Sequence, residues 1–145
     1  DCIRSALGYS KFIPRGDGSM MRDFLYIKDV VELYISIAEF LANDKKTFSG
    51  QIFNAGSSNP MLVKEIIKNV YTEIGEIDEY HNILEKMKNK KPIGEIDCQY
   101  MDFEKVKDYY GWTPQHSFND GLLKTIEWYK RFLNDTHGNF MQQEE

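Results

Sequence analysis

Residues Val30 to Ala42 read VVELYISIAEFLA, and this stretch constrains the fold more than any other. Asp29 in front of it is a predicted N-cap, and the run behind it has helical length. Val31, Leu33, Tyr34, Ile35, Ile37, Phe40 and Leu41 leave only a thin polar stripe around such a helix. A helix apolar on nearly every side must be covered on more than one of them. A chain of 145 residues fits one ordinary domain, and the rest of it is not expected to supply all of that cover.

Around this helix the sequence alternates short strand signals with amphipathic helices. Asp1–Leu7 reads as the end of a helix stopped near Gly8. Phe12–Arg15 and Met20–Ile27 read as strands joined through Gly16-Asp17-Gly18-Ser19, because Asp-Gly is a strong hairpin turn signal. Gln51–Asn54 is a predicted strand ending in a glycine-serine turn, followed by a helix over Leu62–Ile74 with one clean apolar face. Strand, glycine turn and helix in that order predict an α/β fold with a parallel strand. The segment EYHNIL reads as a strand or as the start of a helix continuing to Lys88, with the strand preferred, and Asp97–Met101 reads as a strand. Asp102 caps a short helix ending at Gly111, and Ser117-x-x-Asp120 is a capping box for a helix to Leu133. No repeat or linker divides the chain, so residues 1–134 are expected to form one portion and 135–145 a disordered tail.

Composition excludes several function classes. A net charge of −5 argues against nucleic acid or an anionic membrane as a general partner. There is no apolar run of membrane-spanning length and no visible signal peptide, so a cytoplasmic setting is expected. Cys2 and Cys98 have no metal-type spacing, and His81, His116 and His137 are isolated in sequence, so no metal site is expected.

The hairpin carries the chemistry. In a two-residue Asp17-Gly18 turn, Arg15 and Arg22 share one face as diagonal neighbours about 7–8 Å apart. Two guanidinium forks at that spacing suit adjacent anionic groups such as a diphosphate, because planar donors bind phosphate oxygens bidentately. Phe24 and Tyr26 continue the Arg22 face and would line an adjoining pocket. Without a ligand, Arg22 beside Asp23 is a surface pair that contributes little.

Four stretches extend this reading: RGDGSMMRDFLYIKDVVELYISIAE, GQIFNAGSSNPMLVKEIIKNV, EIDCQYMDFEKVKDYYGWTP and SFNDGLLKTIEWYKRFL. In this order they resemble the C-terminal half of the NAD-dependent epimerase/dehydratase family, the extended short-chain dehydrogenases that act on nucleotide sugars. EIDCQYMD followed by GWTP looks most like the CDP-glucose 4,6-dehydratase branch. The resemblance implies the C-terminal part of an extended Rossmann-type fold, with short strands, a β-hairpin and about four helices. It also implies that Arg15, Arg22, Tyr26, Glu95 and Gln99 bind substrate. Many relatives carry R-P-G-D/H where this chain has Pro92-Ile93-Gly94-Glu95, so phosphate binding leans on Arg15 and Arg22, or on Lys90 and Lys91.

The same resemblance implies parts that these residues lack. NAD binding needs a glycine-rich turn opening a helix, and the only Gly-x-Gly, Gly16-Asp17-Gly18, sits in the hairpin. No tyrosine has a lysine four residues on, so the family's Y-x-x-x-K pair is absent. The chain is therefore expected to be a fragment of a longer enzyme, inactive alone, partnered by an N-terminal Rossmann half that holds NAD. The isolated chain is further expected to hide the apolar helix by homo-oligomerisation or by rearranging. The rival readings are a nucleotide-sugar 4-epimerase and a non-catalytic binding or assembly module.

Overall fold

The structure is a computed structural model that describes residues 1–44, 46, 49–90 and 94–141, with side chains through Thr136. In chain order its elements are α1 (Cys2–Ala6), β1 (Met21–Arg22), α2 (Ile27–Asn43), β2 (Met61–Leu62), α3 (Val63–Ile74), α4 (Ile77–Met87), β3 (Cys98–Gln99), α5 (Glu104–Tyr110) and α6 (Phe118–Met141). The strands lie in the order β2-β1-β3, and β1 pairs in parallel with β3. The chain forms two compact units that interleave in sequence. One comprises Asp1–Ser19, Leu62–Glu95 and Leu122–Glu145, the other Met20–Met61 and Ile96–Gly121.

The first unit is helical, with α1 and α4 packed against α3. Glu65 in the first turn of α3 accepts the Leu62 N–H at 3.2 Å, the half of a capping box that a leucine N-cap permits. Gly75 ends α3 at φ 93°, a left-handed conformation that glycine adopts without a Cβ penalty. Tyr80, Ile83 and Met87 recur at helical spacing, so EYHNIL belongs to α4 and not to the expected strand. Tyr71, Ile83 and Met87 are almost wholly out of water. From α6, Leu122, Ile126 and Leu133 complete this core, and the helix backbone continues to Met141, past the expected end at Leu133.

The expected hairpin does not form. Phe12–Arg15 is irregular, and the Gly16–Ser19 loop closes on itself when the Asp17 carboxylate accepts the Ser19 N–H at 2.9 Å and its hydroxyl at 2.6 Å. These two bonds hold the Asp17 carboxyl below its ordinary range. Gly18 serves a close approach: its carbonyl accepts the Lys64 N–H at 3.1 Å, and a Cβ on it would lie 2.8 Å from Lys64 Cβ. Its φ of 75° independently disfavours any other residue. Asp-Gly here marks a turn laid against the start of α3. The strand expected over Gln51–Asn54 is also irregular.

The second unit is built on Leu33, Val106, Tyr110 and Trp112, with Leu25, Ile37, Phe53, Ala55 and Phe103 packed around them. At its centre Asp29 has no exposed surface. α2 starts at Ile27 with Tyr26 as its N-cap, so Asp29 does not cap the helix as expected but lies in its first turn. Its carboxylate accepts the His116 N–H at 3.2 Å, and His116 Nδ1 lies 2.7 Å from its other oxygen. A carboxylate only accepts, so Nδ1 carries the proton. The Asp29 carbonyl accepts the Trp112 indole N–H at 3.0 Å. Gly111, at φ 65°, ends α5 and turns the chain so that Trp112 is buried.

The other face of α2 is uncovered within this unit: Ile27, Val31, Tyr34 and Ile35 are exposed, Tyr34 by 70%. No helix among the described residues is long and apolar enough to cross a membrane.

Asp29→Ala strands the partners of a buried carboxylate and is expected to cost about 3 kcal/mol in urea unfolding. Ile83→Ala, which leaves a cavity in the first unit, is expected to cost about 2–5 kcal/mol in the same measurement.

Candidate functional site

β1 and β3 are each two residues long and form the frame of the candidate site. Their parallel register sets Met21 beside Cys98 and Arg22 beside Gln99. Register partners in a sheet point to the same face, so two of the residues expected to bind substrate are neighbours. The ladder is extended backwards by the Met21 N–H, which donates to the Asp97 carbonyl at 2.7 Å.

Arg22 is half-buried, and its guanidinium ties two stretches of backbone together. Nη1 donates to the Met21 carbonyl at 2.8 Å and to the Ile96 carbonyl at 2.7 Å, while Nη2 lies 3.6 Å from Met20 Sδ. At least three of the five donors of a rigid fork are thus engaged, and they fix its plane. Gln99 beside it is exposed.

Asp23, which the sequence suggested as a surface partner for Arg22, has a different task. Both of its oxygens accept the Ser57 N–H, each at 3.0 Å, and one also accepts the Ser57 hydroxyl. The other accepts the Met101 N–H at 3.3 Å. Sequence reasoning missed this clamp. Its signal was the pairing of an aspartate just after the arginine with a distant Gly-Ser turn, and spacing alone does not connect the two.

Tyr26 turns inward. Its ring meets the His116 imidazole edge-on at 4.8 Å between centroids and packs against Gly121, where an added Cβ would approach the Tyr26 ring to 3.2 Å. Phe24 is half-exposed and meets the Phe118 ring edge-on at 6.3 Å. Arg15 and Glu95 are exposed members of the first unit, and with no hairpin there is no ladder to set Arg15 diagonally from Arg22. Lys90, considered as a phosphate ligand, donates to the Pro14 carbonyl at 2.8 Å. Lys91, Pro92 and Ile93 lie outside the described residues.

The two thiols differ. Cys98 on β3 is exposed, whereas burial pushes the Cys2 thiol up to about 12. Only the thiolate is nucleophilic, and at pH 8 a thiol with that pKa is ionised to about one part in ten thousand. Iodoacetamide at pH 8 is expected to label Cys98 and leave Cys2 essentially unmodified, read by peptide mass spectrometry.

Residues 2–125 match the family model described as GDP-mannose 4,6 dehydratase. Human dTDP-D-glucose 4,6-dehydratase is 34% identical over 119 residues, covering 79% of this chain and 31% of that protein. UDP-N-acetyl-alpha-D-glucosaminuronate decarboxylase of Bacillus cytotoxicus is 28% identical over 142 residues, covering 92% of this chain and 40% of that protein. The chain thus spans well under half the length of these relatives. Among solved structures, Bordetella bronchiseptica WbmF in complex with NADH superposes with a TM-score of 0.71 at 24% identity, over 99% of this chain and 39% of that one. That likeness supports the fold, a small α/β portion of a Rossmann-type dehydratase or epimerase. The chain belongs to the GDP-mannose 4,6 dehydratase family, within the NAD-dependent epimerases and dehydratases.

Proposed function

We propose that this chain is the nucleotide-sugar-binding portion of an NAD-dependent 4,6-dehydratase, with CDP-glucose as substrate. The observation that carries the reading is the β1–β3 register, which pairs Arg22 with Gln99 on one sheet face. Such a pair suits a diphosphate flanked by hydroxyl groups: the guanidinium supplies paired charged donors, and the amide can both donate and accept.

In the reaction proposed for the whole protein, the hexose is oxidised at C4, loses water across C5 and C6, and regains hydride at C6. NAD supplies the hydride chemistry. The described residues do not fit it, because Gly16-Asp17-Gly18 leads through Ser19 into β1 and opens no helix. We therefore assign NAD to a Rossmann half elsewhere in a longer protein, and the exposed α2 residues Val31, Tyr34 and Ile35 to contact with that half. The work of this chain is anchoring. Binding energy from the nucleotide and diphosphate, remote from the reacting carbons, holds the sugar in place.

The test is an assay of the full-length protein with NAD on CDP-, dTDP- and UDP-glucose. Conversion of CDP-glucose to a 4-keto-6-deoxy sugar with the highest kcat/KM supports the reading. Inversion at C4 without loss of water would make it an epimerase and sink the dehydratase assignment. Arg22→Ala is expected to raise KM for the nucleotide sugar about tenfold, the effect of losing one charge-assisted contact of about 1.4 kcal/mol, with little change in kcat.

A further inference from the structure

We propose that Asp23 is a positioning residue for the Arg22 anchor: its carboxylate clamps the turn at Gly56-Ser57 and the chain just beyond β3, and thereby aims the guanidinium that precedes it. The inference rests on reading Arg22 as a diphosphate anchor.

Arg22 is the last residue of β1, so the backbone direction at Asp23 sets where the Arg22 side chain leaves the strand. A strand of two residues is too short to hold that direction by its own ladder. Asp23 holds it from outside, by accepting the Ser57 N–H and hydroxyl and the Met101 N–H. Three stretches of chain, after β1, after Ala55 and after β3, converge on one carboxylate. The approach is close enough that a Cβ at Gly56 would collide with the Asp23 carboxylate and lie 2.8 Å from the Met101 carbonyl oxygen. On the other side, the Arg22 guanidinium itself grips the Ile96 carbonyl just ahead of β3. Asp23 and Arg22 therefore grip the two ends of β3, and the orientation of the fork depends on both.

The chemistry fits the residue. A carboxylate offers about four acceptor directions and no donor, so it can collect several N–H and O–H groups at once. An asparagine would turn one oxygen into an NH2 facing those donors. Bonds from backbone N–H to a charged acceptor are stronger than neutral ones, which suits a clamp that must hold a short strand.

The experiment uses the full-length protein with Asp23→Asn, Arg22→Ala and the double variant. Isothermal titration with CDP, dTDP and UDP follows the nucleoside diphosphate site, with NAD affinity and thermal unfolding measured alongside. The expected result is an approximately tenfold loss of affinity for the preferred diphosphate in Asp23→Asn, with NAD affinity unchanged. The double variant is expected to bind no more weakly than Arg22→Ala alone, because Asp23 acts through Arg22. Additive losses in the double variant overturn the proposal, as does parallel loss of NAD affinity, which would mark a general structural defect. If Arg22→Ala alone leaves diphosphate binding unchanged, the anchor reading itself fails. Ser57→Ala, which deletes only the hydroxyl contact, provides a milder variant should Asp23→Asn not fold. It is expected to weaken the same ligand about threefold, and unchanged affinity there counts against the clamp.

Discussion

The second unit depends on a carboxylate taken entirely out of water. Burying Asp29 is unfavourable unless its oxygens are matched, and both are: one by the His116 N–H, the other by the protonated His116 ring nitrogen. The same residue offers its carbonyl to Trp112, so the start of α2 is joined twice to the segment following α5. The apolar packing of Leu33, Val106, Tyr110 and Trp112 fills the space around these bonds. Hydrophobic burial supplies most of the drive, but it is non-directional. The polar knot selects a single register for Trp112.

The site shows the same division of labour at the sheet. β1 and β3 have too few ladder bonds to be self-sufficient, and side chains supplement them from both ends. Arg22 reaches backwards to the Ile96 carbonyl, and Asp23 reaches forwards to Ser57 and Met101. In the proposed role, a residue that anchors an anionic ligand and also braces its own strand has its geometry set before the ligand arrives. Preorganisation of this kind reduces the ordering that binding must otherwise impose.

The elements with long, regular periodicity were legible. The apolar faces of α2 and α3, the Asp102 bond to the Glu104 N–H and the Ser117–Asp120 box all follow from spacing, because helix bonds are local. The strands were not legible to the same degree. The partner of β1 lies in β3, and no local pattern reveals a parallel partner that distant, whereas Asp-Gly invited the nearer hairpin. EYHNIL misled because six residues are too few to separate the two periods, and Ile77 and Met87 resolve it in favour of helix. The resemblance singled out Arg22 and Gln99 as separate expectations, and only the register makes them neighbours. Asp23 escaped because its partners come from two other stretches of chain. The division into two units escaped for a related reason: they interleave, so no linker marks the boundary.

That interleaving has a consequence for how the protein is made. The second unit takes Met20–Met61 from early in the chain and Ile96–Gly121 from late, with Leu62–Glu95 of the other unit between them. Closing contacts across so long a segment carries a loop entropy that no local bond offsets. On a ribosome, α2 emerges with neither His116 nor Trp112 yet synthesised, and the side of it that carries Asp29 and Leu33 must wait for them. Until residues 96–121 are made, that side of the helix has no partner from its own unit, a state in which holdase chaperones and the speed of translation bear on yield as much as the final contacts do.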